Sequence, residues 1–168
     1  MPAPEKGFTF IEIIIVIAIL GIMALGFYPS VLNTLELRAL ETSAREIQAA
    51  LQTAKWQAVN AKTNHRVRFN LEEGRWMYRI ETESSPGTWV LKTGQTPHSV
   101  PTKFDVTLNL PASSTVEFTP TGFIYGYESA KNQIVLSSSK LATLGQASQR
   151  LIRFYAGGSI QFLTGTGE

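Results

Sequence analysis

Apolar residues run almost without interruption near the N-terminus of the chain. No residue between Glu12 and Glu36 carries a charge, a stretch of 23 residues. A helix needs about 20 residues to cross the hydrocarbon core of a bilayer. The pattern therefore predicts a membrane-spanning helix over residues 8–32. A kink is expected at Pro29, because proline lacks an N–H and its ring crowds the carbonyl group of the preceding turn.

Residues 33–62 contain neither glycine nor proline, and their apolar positions recur at steps of three and four. This period predicts that the helix continues as an amphipathic half. A stripe of about three heptads would also allow a coiled coil. Packing against the chain's own sheet is favoured, because nothing else in the sequence would cover that sheet. The stripe consists of Leu37, Leu40, Ala44, Ile47, Leu51, Ala54 and Ala58.

Alternation of apolar and polar residues dominates from residue 63 onwards and predicts short strands joined by turns. Segments 93–101 and 139–149 are expected to be loop or irregular. The segments 123–127 and 150–155 look apolar enough to be buried on both faces. The expected fold class is α+β, a long N-terminal helix packed on antiparallel sheet, with two small sheets as an option. Strands are predicted over residues 65–70, 75–82, 88–92, 104–110, 115–119, 123–127, 133–138, 150–155 and 159–162.

Composition adds little evidence for chemistry. The net charge is +2, and the absence of cysteine excludes disulfides, thiolate metal sites and cysteine nucleophiles. The two histidines, His65 and His98, are far apart in sequence and are each expected to be structural or exposed. No phosphate-binding loop and no paired histidines at metal-ligand spacing occur. We therefore expect no enzyme activity and no cofactor.

The acid near the start of the apolar run, Glu12, needs a reason, since an acid at the centre of a membrane helix costs about 2.5–3.5 kcal/mol. Three interpretations are open: a signal peptide cleaved after Gly26, a plain membrane anchor, or an anchor cleaved between Gly7 and Phe8. The third creates an ammonium on Phe8, one helical turn from Glu12 and on the same face. A buried charge pair costs less than either isolated ion. Alternatively, Glu12 lies at the headgroup layer.

The stretch KGFTFIEIIIVIAILGI, residues 6–22, resembles the class III signal of type IV pilins and type II secretion pseudopilins. The resemblance implies that residues 1–7 are a leader, that a prepilin peptidase cuts after Gly7, and that it methylates Phe8. Glu12 matches the family's acid, which implies an assembly contact with the N-terminus of a neighbouring subunit, although its own terminus is also within reach. Pro29 stands where the family's helix kinks.

The C-terminal half is similar to the GspH/FimT pseudopilin family. The similarity lies in VEFTPTGFIYG, NQIVLSSS and RLIRFYAGGSIQF, whereas residues 92–115 are not distinctive. It implies a pilin-like domain over residues 63–168, exposed to the periplasm and anchored in the inner membrane before assembly. The positions that match are Phe118, Pro120, Gly122, Ile134, Leu136, Ile152, Gly158 and Ile160.

Four arginines are candidate partner contacts, in two places. Arg66 and Arg68 share one face of a predicted strand, and Arg150 and Arg153 lie near the C-terminus. A solvated face is the favoured interpretation, and an acidic partner or DNA backbone is the alternative. Some FimT-like pilins bind DNA through arginines near this end. The corresponding turn here, AGGSIQF, has none, so nucleic acid is not an expected partner.

The resemblance implies a minor pseudopilin near the tip of a type II secretion pseudopilus, which helps to export folded proteins. Its partners would be prepilin peptidase, other major and minor pseudopilins, the inner-membrane assembly platform and, before assembly, the lipid bilayer. The tip-most family member typically lacks the acid, so Glu12 favours a subunit with another one above it. The alternatives are a FimT/FimU-like minor pilin that primes pilus assembly, and a soluble binding domain released after Gly26.

Overall fold

The computed structural model describes residues 7–92, 94–112 and 114–165, but not the side chains of residues 24–29. Of the predicted leader, residues 1–6 thus lie outside the described part. The chain divides into two compact units, one ending at Glu36 and the other running from Leu37 to the C-terminus.

A single helix, α1, spans Phe10–Ala61. It continues through Pro29, so the proline does not end the helix. The side chain of Pro29 lies outside the described part of the structure, so the kink expected there stays a prediction. The helix ends as predicted near residue 62, because Lys62 adopts a left-handed conformation with φ of 54° that an α-helix cannot continue.

Two antiparallel sheets follow, which confirms the predicted α+β class. The strands are β1 His65–Glu72, β2 Arg75–Ser85, β3 Thr88–Leu91, β4 His98–Ser99, β5 Asp105–Asn109, β6 Thr115–Phe118, β7 Gln133–Ser137, β8 Gln149–Phe154 and β9 Ile160–Gly165. A short helix, α2, spans Ser139–Thr143. The first sheet has the order β3-β2-β1-β6, with β4 also paired to β2, and the second has the order β5-β7-β8-β9.

The predicted apolar stripe of α1 lies in the core of the domain. Six of its seven residues are completely buried, and Leu37 is half-buried. They share one hydrophobic cluster with Val67 and Phe69 of the first sheet and with Ile152 and Phe154 of the second. The stripe therefore packs on the chain's own sheets, as predicted, rather than in a coiled coil. The six are Leu40, Ala44, Ile47, Leu51, Ala54 and Ala58.

The prediction that two segments would be buried on both faces is wrong. Residues 123–127 form no strand, because Gly122 and Gly126 adopt positive φ of 82° and 61° and turn the backbone. Phe123 and Tyr125 are exposed there. In β8 buried and half-buried residues alternate, as expected for a sheet with only one face in the core.

Two elements appear where loop was expected. Strand β4 is only two residues long and pairs with Met77 and Tyr78 of β2. Helix α2 begins at an N-cap, where the Ser138 hydroxyl accepts a hydrogen bond from the Leu141 N–H, and Leu141 is completely buried. Both elements are too short to produce a periodic pattern in the sequence.

Candidate assembly surfaces

The N-terminal acid caps its own helix. The Thr9 N–H donates to the Glu12 carboxylate at 3.3 Å, and the Thr9 hydroxyl accepts from the Glu12 N–H at 3.4 Å. This reciprocal pair is a capping box, whose sequence signal is Thr-x-x-Glu before an apolar run. The sequence contained that signal, and our reasoning missed it. In the uncleaved chain the nitrogen of Phe8 is an amide, so the pairing of Glu12 with an ammonium stays a prediction.

The apolar segment after the predicted cleavage point is not buried within its own unit. Every side chain from residue 7 to residue 23 is exposed, with Phe8 at 82% and Phe10 at 80%. An apolar surface of this extent marks contact with lipid or with protein. Within the part of the chain that the structure describes, no helix carries an apolar window long enough to cross a membrane. The predicted span, residues 8–32, includes the side chains of 24–29 that lie outside the description.

Arg66 is held within the sheet. Its Nε donates to Glu81 Oε2 at 2.6 Å, and Arg79 Nε donates to Glu81 Oε1 at 2.8 Å. The Arg66 guanidinium also stacks 4.2 Å from the ring centre of Trp89. Glu81 is only 5% exposed, so its charge is compensated by two arginines in a half-buried network.

The face of the sheet that carries Arg66 is close to electrically neutral. Arg68 lies directly opposite Arg79 on the neighbouring strand, and Glu117 lies opposite Arg66. Burial and the neighbouring Glu83 carboxylate raise the pKa of Glu117, and Arg66 opposes that shift. Since Glu81 and Glu117 flank Arg66 on its two neighbouring strands, this face lacks the uniform basic surface that binds a nucleic-acid backbone.

The second arginine pair is divided between two faces of β8. Arg150 points into the core and is 3% exposed, and its Nη1 donates to the carbonyl oxygens of Gln149 at 2.8 Å and Ala147 at 3.1 Å. Burial lowers the pKa of Arg150. This placement removes Arg150 from the candidate partner contacts. Arg153 lies on the opposite face, half-buried, where its Nη2 donates to Gln133 Oε1 at 3.3 Å.

The two glycines that carry the C-terminal resemblance meet at one point beside helix α1. Gly122 and Gly158 have φ of 82° and 71°. A Cβ added to Gly158 would overlap the carbonyl oxygen of Gly122 and approach Lys55 Cε to 3.1 Å. Lys55 Nζ donates to the carbonyl oxygen of Gly158 at 2.9 Å. The glycines are therefore required by backbone conformation and by close approach, and Lys55 joins the helix to their junction.

Polar groups also line a groove of about 520 Å³ between α1 and β2, where Glu46, Tyr78 and His98 lie. The rings of Tyr78 and His98 stack with their centres 5.4 Å apart. Burial, assisted by the Glu46 carboxylate, raises the pKa of Tyr78 to about 12, so its phenol stays protonated at neutral pH. Among the described residues, no group of three histidine or acidic side chains is placed to hold a metal ion.

His65 is completely buried at the start of β1. Its Nδ1 lies 3.1 Å from the Thr63 carbonyl oxygen, whereas its Nε2 has no hydrogen-bond partner among the described residues. Burial lowers the pKa of His65, which keeps the ring neutral. We interpret it as a structural residue.

Two family models match the chain. The prokaryotic N-terminal methylation motif matches residues 3–28, and the family described as type II transport protein GspH matches residues 43–166. Comparison with curated protein sequences finds no significant match.

Two solved structures of one protein show the same fold. One structure of the minor pseudopilin EpsH of the Vibrio cholerae type II secretion system is 12% identical, with a TM-score of 0.54 over 78% of this chain and 96% of that one. A second EpsH structure is 14% identical, with a TM-score of 0.52 over 74% and 95%. The type IV minor pilin FimU of Pseudomonas aeruginosa is 20% identical, with a TM-score of 0.48 over 73% and 91%.

Proposed function

Since the chain belongs to the GspH family of type II transport proteins, we propose that it is a minor pseudopilin of a type II secretion system. The observation that carries the proposal is the pairing of two matches on one chain, the methylation motif at residues 3–28 and the GspH domain at residues 43–166. In this role the protein joins a periplasmic filament near its tip and helps to export folded proteins.

The proposed organisation has four parts. Residues 1–7 are the leader, residues 8–32 lie in the inner membrane and later in the filament core, residues 33–62 form the amphipathic half of α1, and residues 63–168 form the periplasmic domain. The exposure of every side chain from residue 7 to residue 23 supports this assignment, because that surface needs lipid or neighbouring subunits to cover it.

Processing by prepilin peptidase at Gly7–Phe8 is supported by local geometry. Helix α1 begins only at Phe10, so the peptide bond to be cut lies outside the helix. Both Gly7 and Phe8 are exposed. A protease binds its substrate in an extended conformation, so the bond needs no helix unwinding before cleavage.

After cleavage, the ammonium of Phe8 would compete with the Thr9 N–H for the Glu12 carboxylate. Both donors form charge-assisted hydrogen bonds with the carboxylate, but the ammonium adds the attraction of a full positive charge, which the Thr9 N–H lacks. The same ammonium on a neighbouring subunit would compete equally well, so Glu12 is the proposed assembly contact. Its partners would be other major and minor pseudopilins, with the inner-membrane platform receiving the subunit from the bilayer.

A type IV pilus minor pilin is the second candidate, because both kinds of filament use the methylation motif. The secretion role is favoured by the family description and by two features of the surface. The basic face near Arg66 is neutralised by Glu81 and Glu117, and the turn at residues 156–158 carries no arginine. Neither feature suits DNA uptake.

The first test is intact mass spectrometry of the protein from cells that make it. The expected chain begins at Phe8 and carries one added methyl group. A mature chain that begins at Phe27 would instead identify a cleaved signal peptide and refute the proposal.

The second test separates the two filaments. Deletion of the gene should abolish release of folded exoproteins into the medium and leave surface pili intact. Loss of pili with normal secretion would establish the pilus role instead.

A further inference from the structure

An open groove runs beside the last turns of α1. Its other wall is the turn that leads into β9. Lys55, Trp56 and Val59 line it from the helix, and residues 158–160 line it from the turn. Its volume is about 360 Å³.

The helical wall of the groove is apolar and uncovered. Trp56 is 67% exposed and Val59 is 44% exposed, whereas the other two tryptophans of the chain are half-buried. Tryptophan is enriched among the few interface residues that dominate binding energy, because its large rigid ring loses little entropy when it is covered. A solvent-exposed tryptophan beside a groove is therefore a candidate protein contact.

The polar group in the groove is the Lys55 ammonium. It donates to the Gly158 carbonyl oxygen at 2.9 Å, and among the described residues it forms no ion pair. The positions one turn before and after it on the helix are Leu51, Gln52, Ala58 and Val59, so no helical neighbour supplies an acid. An ammonium with one carbonyl acceptor, set against apolar surface, is complementary to a carboxylate.

We propose that this groove, the Trp56 groove, binds a second pilin-type subunit through an apolar side chain that lies next to a carboxylate. The apolar side chain covers Trp56 and Val59, and the carboxylate pairs with Lys55. The inference rests on the proposed function, because an assembling filament subunit is what brings such a partner to this surface.

The test is photo-crosslinking of the full-length chain in cells that make its filament. A photo-reactive phenylalanine analogue replaces Trp56, and the adduct is identified by mass spectrometry. The matched control carries the analogue at Leu144, an exposed apolar residue that follows α2. We expect an adduct with another pilin-type subunit from position 56, at a yield at least tenfold above that from position 144.

The charge is tested with Lys55→Gln in the chain that carries the crosslinker. Glutamine removes the positive charge and supplies an amide N–H donor on a side chain that is one atom shorter. The adduct yield should fall at least threefold, while the thermal unfolding midpoint stays close to that of the parent chain. An unchanged yield would overturn the assignment of a carboxylate.

The N-terminus of the same preparations separates the two proposals. If chains beginning at Phe8 are abundant and position 56 gives no pilin adduct, the docking inference is overturned and the proposed function stands. A non-pilin adduct overturns the docking inference in the same way. If the chains stay uncleaved, the proposed function fails and the docking inference fails with it.

Discussion

Gly158→Ala should destabilise the domain far more than its single added methyl group suggests. A non-glycine residue in the left-handed region costs about 1–2 kcal/mol. The new Cβ would also overlap the Gly122 carbonyl oxygen and force two backbone segments apart, at about 1–3 kcal/mol. That movement weakens the hydrogen bond from Lys55, which is worth about 1 kcal/mol. Together these terms give a loss of about 4 kcal/mol.

The assay is thermal unfolding of the full-length chain in detergent, followed by near-ultraviolet circular dichroism. For a chain of this length a loss of about 4 kcal/mol lowers the midpoint by about 8–16 °C. Gly157→Ala is the matched control, because a Cβ there meets no atom within 4 Å and Gly157 lacks a positive φ. It should change stability by less than about 0.5 kcal/mol. Equal midpoints for the two variants would refute the junction as the cause.

Three further predictions follow from buried or capping groups. Because burial lowers the pKa of His65, the folded state binds fewer protons than the unfolded state, so stability should fall as pH drops below about 6.5. His65→Asn should remove most of this dependence of stability on pH. The measurement is the difference in unfolding free energy between the parent chain and the variant at each pH. Glu81→Gln leaves Arg66 without its charged partner and should lower the free energy of unfolding, measured in urea, by about 3 kcal/mol. A loss below about 0.5 kcal/mol, which is typical of exposed ion pairs, would contradict a buried network. Glu12→Val should leave cleavage intact but reduce filament incorporation. Thr9→Ala, which removes the capping hydroxyl and one methyl group but keeps the carboxylate, should incorporate normally. Equal losses would assign the defect to the cap.

Local periodicity made the helix and most strands predictable. The stripe from Leu40 to Ala58 repeats within a few residues, so its burial could be read without knowledge of any distant contact. The family prediction is confirmed by the match to GspH over residues 43–166. The loop at residues 123–127 was mispredicted because its apolar content outweighed the two glycines that turn it.

Long-range register explains most of what the sequence did not reveal about the surfaces. Arg66 reaches Glu81 only because β1 and β2 pair residue 66 with residue 81, and Lys55 reaches Gly158 across 103 residues. The inward direction of Arg150 did have a local signal. Position 150 shares its parity with the apolar positions 152 and 154, which a strand places on one face.

The N-terminal acid now has a physical role before assembly as well as a proposed one during it. At the third helical position its carboxylate accepts from the Thr9 N–H and lies at the positive end of the helix dipole, an effect worth about 0.3–1 kcal/mol. A carboxylate at this position is therefore stabilised while the chain waits uncleaved. Cleavage at Gly7 would place an ammonium within one turn of the same oxygens, so the spacing from Phe8 to Glu12 suits both the cap and the proposed ion pair. A carboxylate one residue earlier or later would lose the capping geometry, because only the third helical position reaches back to the residue that begins the helix.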